Sequence, residues 1–311
     1  MTFSREVKEE LERNVNNSRH CQLAEMAAYV VNIGNIDGAG DRRYLTFHTE
    51  NEGVIKKVFT LLKKIYNIDT VVKEHDNGRG RMFEICIDNP EAAGSVLMSV
   101  KNPEDRRVSS LVIKNACCKR AYLMGTFLCI GSMSSPDKSY HLEFVSSYEG
   151  QMEQIKELIA DFDIEARVTR RKNSYVLYVK EGDRIVDLLN IMGAHVSLMN
   201  MENVIILKDM RNSLNRRVNC ETANIIKSVN AANRQVEDIN FLKKHHILET
   251  LPDSLQEMAA VRISNPDAPL KDLCNLLDPP VGKSGVNHRL RRLSEIADSY
   301  RMCDSKSNGG E

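Results

Sequence analysis

The chain has 311 residues, 42% of them hydrophobic, and its 43 basic residues are balanced by 43 acidic ones. This length suits about two domains with a core each, and no apolar run approaches the roughly 18 residues that cross a bilayer, so we expect a cytoplasmic protein without a membrane partner. The eight cysteines contain no CxxC pair and no Cys and His cluster with zinc spacing, which predicts mostly reduced packing residues and argues against a bound metal or cofactor.

The N-terminal two thirds of the chain contains a repeat with an offset of 97 residues. Identical residues recur at this offset without a gap, as in the pairs Cys21 and Cys118, Ala24 and Ala121, Ile33 and Ile130, Gly34 and Gly131, Phe47 and Phe144, and Gly53 and Gly150. Chance gives only a few such identities. Residues 21–100 and 118–194 are therefore predicted to be two copies of one supersecondary unit within a domain that covers residues 1–200.

Each copy is predicted to have the element order αββαββα. The first helix lies at residues 23–33 or 121–130, and the glycine after it, Gly34 or Gly131, is expected to end it by taking a positive φ. The other predicted elements are return strands of a first hairpin at 43–49 and 139–146, helices at 52–66 and 149–161, second hairpins that pair 70–73 with 82–87 and 166–170 with 175–179, and closing helices at 91–100 and 184–192. Ahead of the first copy, Ser4 is expected to cap a short helix that ends near Arg13.

The C-terminal third is predicted to be helical, because the strand pattern ends after Leu207. Residues 201–250 form a helical linker in this interpretation, with a long polar helix at 221–246. Three helices follow at 255–264, where Asp253 or Ser254 is the expected N-cap, at 270–277 and at 283–300; two prolines after Asp278 end the second of them. Residues 251–301 are thus predicted to be a helix-turn-helix domain, and residues 302–311 a disordered tail.

The last helix carries the strongest functional signal. Four apolar residues recur at spacings of 4, 3 and 4 and are predicted to pack on the preceding helices: Val286, Leu290, Leu293 and Ala297. The polar residues of this helix suit double-stranded DNA, because Lys and Arg neutralise phosphate or bond guanine and Asn bonds adenine. The predicted DNA contacts are Lys283, Ser284, Asn287, His288, Arg289, Arg291 and Arg292.

Positive charge is concentrated in two stretches although the net charge of the chain is zero. Residues 207–220 and 282–301 each carry a net charge of +3. In the first stretch, Arg211, Arg216 and Arg217 are expected to follow the DNA backbone. The hairpin tips at 77–81 and 170–173 are also basic; we interpret them as ordinary turns, with contact to the DNA backbone as the alternative.

The doubled unit, with Leu123-Met124-Gly125-Thr126-Phe127-Leu128-Cys129-Ile130-Gly131 in its second copy, resembles the LAGLIDADG homing endonucleases. That resemblance implies two signature helices packed at a pseudo-twofold axis through small residues such as Ala28 and Gly125. It also implies a metal-binding carboxylate just before the last glycine of each helix, where this chain has Ile33 and Ile130. Apolar side chains cannot hold a hard divalent cation, so we expect a degenerate domain that is not an enzyme and has no small-molecule substrate.

Such a domain, followed by a helical domain, resembles the WhiA family of bacterial sporulation and cell-division regulators over essentially the whole chain. The segments that carry the resemblance are 139–144, 217–224, 234–239 and, above all, 277–290. It implies a sequence-specific DNA-binding transcription regulator, associated with the nucleoid, that acts in cell division and chromosome segregation, and in sporulation where the organism sporulates.

Two other functions stay open at this point. The repeat domain could be an interaction scaffold that docks a protein of the transcription or division machinery. Alternatively it could still nick DNA with a metal bound elsewhere, for instance near Asp37, whose counterpart at the 97-residue offset is Ser134.

Overall fold

The structure is a computed structural model that describes residues 2–37, 44–76, 78, 80–100 and 106–307. The chain forms two compact units, Met1–Asp209 and Met210–Glu311. Within the described ranges, every helix is too short or too polar to span a membrane.

The first unit contains both copies of the repeat, preceded by helix α1 (Phe3–Arg13). The elements of the first copy are α2 (Arg19–Ile33), β1 (Gly34–Asp37), β2 (Tyr44–Thr49), α3 (Glu52–Tyr66), β3 (Val72–Asp76), β4 (Arg81–Ile87) and α4 (Pro90–Ser99). Those of the second copy are α5 (Ala116–Ile130), β5 (Gly131–Met133), β6 (Leu142–Ser146), α6 (Glu149–Ala160), β7 (Arg167–Arg171), β8 (Ser174–Val179) and α7 (Gly182–Met192). The predicted α+β fold, with the order αββαββα in each copy, is confirmed.

The two four-stranded sheets have the same antiparallel topology, with strand orders β1-β2-β4-β3 and β5-β6-β8-β7. Their registers also correspond, because Gly34 pairs with Phe47 in one sheet and Gly131 with Phe144 in the other. These identical residues of the two strand pairs, which are 97 positions apart in the chain, therefore have equivalent partners in the two sheets. The predicted strand start at Arg43 and parts of the hairpin tip at 77–81 lie outside the described residues.

The two copies meet where α2 packs along α5. Ala24, Ala28 and Ala121 are buried there. A Cβ atom on Gly125 would lie 2.9 Å from the Cβ of Ala28 and 3.3 Å from the carbonyl oxygen of Glu25, which is too close without movement. The expected close contact of the two signature helices through small residues is confirmed.

The glycines that follow these helices serve a different purpose from the one expected. Gly34 and Gly131 have φ values of −82° and −83°, which any residue can adopt. A Cβ on Gly34 would lie 2.4 Å from the carbonyl oxygen of Val30, and one on Gly131 would lie 2.2 Å from the ring of Phe127. The helix ends thus need glycine for close approach of the chain, and the prediction of a positive φ is wrong.

The start of α1 also differs from the expectation. The helix begins at Phe3 with Thr2 at its N-cap position, so Ser4 is not the cap. Its hydroxyl instead accepts a hydrogen bond from the backbone N–H of Met133, at 3.2 Å, and so ties α1 to β5.

A single long helix, α8 (His195–Lys244), covers most of the segment predicted as a helical linker and begins well before the helix predicted at 221–246. Glu10 of α1 caps the N-terminus of α8. Its carboxylate accepts hydrogen bonds from the backbone N–H groups of Val196 at 2.7 Å and Ser197 at 2.9 Å. An acid from a distant helix thus satisfies donors that a helix leaves free in its first turn. The helix starts in the first unit and ends in the second.

The second unit continues with α9 (Asp253–Ser264), α10 (Leu270–Asn275) and α11 (Lys283–Ser307), after a short 3-10 turn at Leu248–Thr250. Pro252, rather than Asp253 or Ser254, occupies the N-cap of α9, so the predicted cap is wrong. The last helix continues through residues 302–307, which the sequence placed in a tail, and residues 308–311 lie outside the described residues.

Candidate nucleic-acid interface

The helix-turn-helix core is built on the apolar stripe of α11. Val286, Leu290, Leu293 and Ala297 are all buried, with at most 1% of their surface exposed. They belong to one cluster with residues of α9 and α10, including Met258. The predicted packing face of the last helix is therefore confirmed, and its other faces are left for solvent or a ligand.

The face of α11 opposite this stripe is polar and exposed. Side chains at i, i+3, i+4 and i+7 share a helix face. Four of the predicted DNA contacts have this spacing and are exposed: Ser284, Asn287, His288 and Arg291. Lys283 and Arg292 are also exposed and flank them. The first turn of α11 adds the positive end of the helix dipole, which favours phosphate.

Three of the predicted arginines already have acidic partners. Arg291 Nε lies 3.1 Å and a terminal nitrogen of Arg292 lies 3.3 Å from the carboxylate of Glu295. Arg289 points away from the exposed face, toward α9, where it pairs with Glu257 at 3.6 Å. A DNA contact by Arg289 would have to compete with this pair.

Glu257 also organises the turn that precedes α11. Its other carboxylate oxygen accepts a hydrogen bond from the backbone N–H of Asp278 at 3.0 Å, next to the cis peptide bond between Asp278 and Pro279. One acid on α9 thereby holds both the turn and the first half of α11, through Arg289.

A buried arginine fixes the connection between α9 and α10. Arg262 is 3% exposed, and it donates hydrogen bonds to the carbonyl oxygen of Ala268 at 2.6 Å and to Gln235 Oε1 on α8 at 3.0 Å. Burial lowers the pKa of this guanidinium. The sequence did not point to Arg262, because charged residues on a helix are ordinarily exposed.

An ionic network fastens α11 to the end of α8. Asp238, 1% exposed, accepts a hydrogen bond from Arg301 at 2.6 Å, and this bond raises the pKa of Arg301. Arg234 of α8 pairs with Asp298 of α11 at 2.8 Å. The segment 234–239, which carries part of the family resemblance, thus supplies the groups that orient the candidate recognition helix.

The basic residues predicted on α8 are exposed but do not share one face. Arg211, Arg216 and Arg217 lie within residues 209–231, a stretch in which every side chain is exposed. Successive residues of a helix point about 100° apart, so Arg216 and Arg217 diverge and Arg211 faces a third direction. Exposed Lys271 on α10 is a further cation, which sequence reasoning missed.

The ends of the signature helices carry isoleucine in place of an acid. Ile33 and Ile130 are partly buried against the core of the first unit. Arg106 donates hydrogen bonds to the carbonyl oxygens of Val31 and Gly34 at the end of α2, the latter at 3.1 Å. A cation therefore lies beside the end of α2, next to the first of the two positions where the resemblance to the endonucleases implies a metal-binding carboxylate. Asp37 is exposed and belongs to no group of three or more metal-ligating side chains among the described residues.

Four side chains of types that can ligate a metal lie together at the other ends of α2 and α5, where these helices begin. His20, Cys21, Cys117 and Cys118 each bring one ligand atom to within 4.8 Å of all the others. Burial raises the pKa of Cys21 to about 12, and the thiols of Cys117 and Cys118 add to the rise. The sequence spacing indicated no such cluster, because its two halves are separated by a whole repeat.

Fold and interface together define a class of protein, in which a duplicated LAGLIDADG-like domain is joined to a helix-turn-helix domain. Family models match three consecutive segments: the WhiA N-terminal LAGLIDADG-like domain at residues 19–87, the WhiA LAGLIDADG-like domain at 119–211 and the WhiA C-terminal HTH domain at 214–297. The chain belongs to the WhiA family.

Relatives and a solved structure agree with this assignment. The chain is 46% identical over 313 residues to a probable cell division protein WhiA of Lachnoclostridium phytofermentans, covering 97% of this chain and 100% of the relative. A protein of the same description from Thermoanaerobacter pseudethanolicus is 43% identical, with coverages of 97% and 98%. The crystal structure of full-length DUF199/WhiA from Thermatoga maritima matches with a TM-score of 0.60 and 25% identity, over 96% of this chain and 99% of that one.

Proposed function

We propose that the chain is a sequence-specific regulator that binds double-stranded DNA and acts in cell division. The observation that carries the proposal is the exposed face of α11, where Ser284, Asn287, His288 and Arg291 lie opposite a fully buried stripe. The helix-turn-helix family match and the cell-division description of the relatives support it. Association with the nucleoid, transcription control, chromosome segregation and sporulation are the finer parts of the same proposal.

In the proposed complex the first half of α11 enters the major groove. Asn287 can bond adenine through its amide, and Arg291 can bond guanine. Lys283 and Arg292, at the edges of this face, and Lys271 on α10 would contact phosphate, since the first helix of such a motif crosses the DNA backbone. The contacts of Glu257, Arg262 and Asp238 keep α11 in place while it binds.

The test is site preference measured with purified full-length protein. Genomic fragments recovered by chromatin immunoprecipitation are titrated with the wild type, Asn287→Ala and Arg291→Ala. Each substitution should reduce the preference for the site over unrelated DNA by about 1–3 kcal/mol, or roughly 5- to 150-fold. Arg184→Ala is the matched control, because Arg184 is also an exposed helical arginine with an acidic neighbour, Asp187, at 3.5 Å. Full site preference in both variants would refute the recognition-helix assignment.

We also propose that the repeat domain does not cleave DNA. Ile33, Ile130 and the guanidinium of Arg106 support this, because none of them can bind a divalent cation. Supercoiled plasmid incubated with the protein and Mg²⁺ or Mn²⁺ should stay intact. Nicking that disappears in Asp37→Asn would establish the enzymatic alternative instead.

A protein partner from the transcription or division machinery is the second candidate function. The observation that favours it is an apolar face on α8, where Leu214, Val218 and Ile225 are 56%, 56% and 63% exposed. Immobilised full-length protein is compared with Leu214→Glu/Val218→Glu in pull-downs from native cell extract treated with nuclease. A partner bound by the wild type and lost with the double variant supports a docking role, and equal recovery contradicts it.

A further inference from the structure

The cluster of His20, Cys21, Cys117 and Cys118 has the dimensions of a metal site. His20 Nδ1 lies 3.2 Å from the sulfur of Cys118, 3.3 Å from that of Cys21 and 3.9 Å from that of Cys117. In a tetrahedral zinc site, with Zn–N of about 2.0 Å and Zn–S of about 2.3 Å, nitrogen and sulfur ligands are separated by about 3.5 Å. The observed separations bracket this value.

The repeat explains how four ligands converge. At the 97-residue offset, His20 corresponds to Cys117 and Cys21 to Cys118. His20 and Cys117 are both exposed, and Cys21 and Cys118 are both buried, so the two copies contribute equivalent positions at the beginnings of α2 and α5. The same pseudo-symmetry that packs the two helices therefore assembles a closed set of four donors.

We propose that these residues bind one Zn²⁺ ion in a Cys₃His site that joins the beginnings of α2 and α5. Three thiolates and one imidazole form a soft donor set, typical of structural zinc, whereas Mg²⁺ and Ca²⁺ require oxygen ligands. All four coordination positions are filled by protein, which favours a structural role over a catalytic one.

The electrostatic surroundings suit this site. A zinc ion with three thiolates and a neutral histidine carries a net charge of −1, and the beginnings of two helices present their positive dipole ends to it. Within the described part of the chain, neither Ser18 nor Asn115, the N-cap residues, makes a side-chain cap hydrogen bond to its helix. The N-cap side chains thus do not compete with thiolates for the first-turn N–H groups, although the N–H of Cys21 already donates to the carbonyl oxygen of Ser18 at 3.0 Å.

The ion would also cross-link the two copies of the repeat, because each copy provides two of its ligands. Its two adjacent pairs of ligands are 97 residues apart in the chain, so the complete site forms only in the native state and binding favours that state. Removal of zinc is therefore expected to lower the melting temperature of the full-length protein without changing the face of α11 that is proposed to bind DNA.

The test is metal content and affinity in the full-length, reduced protein. After loading with Zn²⁺ and gel filtration, inductively coupled plasma mass spectrometry should find about one zinc per chain, and Co²⁺ should give the absorption bands of tetrahedral thiolate coordination. His20→Ala and Cys117→Ser change exposed ligands, so folding should survive. Each should weaken zinc binding by more than the roughly 10- to 100-fold that is lost when a residue hydrogen-bonded to a metal ligand is removed.

Cys220→Ser is the matched control, because Cys220 is an exposed helical cysteine outside the cluster. It should retain zinc with unchanged affinity. Two results would overturn the proposal: a reduced wild-type protein that retains no zinc after loading, or His20→Ala and Cys117→Ser variants that bind zinc as tightly as the wild type. A disulfide between Cys21 and Cys118 in the protein as isolated from cells, detected by mass spectrometry, would equally overturn it.

Discussion

Glu295 lies between two of the arginines that are proposed to contact DNA. Its carboxylate is 3.1 Å from Arg291 and 3.3 Å from Arg292, and all three side chains are exposed. Exposed ion pairs of this kind stabilise a helix by no more than about 1 kcal/mol each. A phosphate backbone offers the arginines stronger partners, whereas it repels the carboxylate. Glu295 is therefore expected to weaken DNA binding while it orders the free helix.

Glu295→Gln should strengthen DNA binding by about three- to tenfold at low salt, because a repulsive charge is removed and two arginines are released. Fluorescence anisotropy with a labelled duplex measures the change. Asp187→Asn, which releases Arg184 on α7 in the same way, should leave the affinity unchanged. If Glu295→Gln binds no better than the wild type, this face of α11 does not lie against DNA.

At the scale of the element, the contact between α2 and α5 depends on the absence of one methyl group. In Gly125→Ala the new Cβ would lie 2.9 Å from the Cβ of Ala28, so the substitution should destabilise the first unit by about 1–3 kcal/mol. Adding Ala28→Gly should recover part of the loss. Chemical denaturation of the full-length protein, followed by circular dichroism, measures both effects.

Gly94→Ala is the control for this prediction. Gly94 lies inside α4, and a Cβ there would meet no atom of the described residues within 4 Å beyond the backbone of its own helix. Alanine at this position should therefore stabilise the helix by about 0.5–1 kcal/mol. The two glycine substitutions are thus expected to change the free energy of unfolding in opposite directions, because only Gly125 lies in a close helix–helix contact. If both substitutions stabilised the protein, helix propensity rather than packing would decide the outcome.

Local patterns predicted the elements well where a short segment determines its own structure. The bounds of α3 agree with the prediction because Asn51 caps the helix, accepting a hydrogen bond from Val54 N–H at 3.2 Å, and Asn67 ends it with a φ of 54°. The start of α8 could not be predicted, because its cap is Glu10, which is 186 residues away in the chain. Apolar periodicity likewise predicted the buried face of α11.

Long-range contacts explain why only part of the candidate site could be predicted. The exposed residues of α11 could be predicted from its apolar periodicity, since residues opposite a buried apolar stripe face solvent. The inward orientation of Arg289 depends on Glu257, in a different helix. The cluster around His20 was hidden for a similar reason, although the repeat already aligned Cys21 with Cys118. Alignment of two copies does not reveal which equivalent residues face the pseudo-twofold axis.

At the scale of the whole molecule, a chain with no net charge is proposed to bind a polyanion. Its affinity must then come from local excess charge, and each phosphate contact contributes about 0.9 to the slope of log K against log salt concentration. Arg211, Arg216 and Arg217 face different directions on α8, so one straight backbone cannot contact all three. Replacing all three by alanine should reduce the slope by about 1–2, because one or two contacts are lost.

The same triple variant should keep its preference for the specific site, since phosphate contacts carry no base information. Asn287→Ala should do the opposite, reducing site preference while leaving the salt slope nearly unchanged. A charge-matched control, Lys56→Ala/Lys63→Ala/Lys64→Ala, removes three exposed lysines of α3 in the first unit and should alter neither quantity. Titrations of specific and unrelated duplexes at four salt concentrations separate these outcomes. An unchanged slope in the arginine variant would mean that these three residues of α8 do not contact phosphate and that the electrostatic attraction comes from elsewhere in the chain.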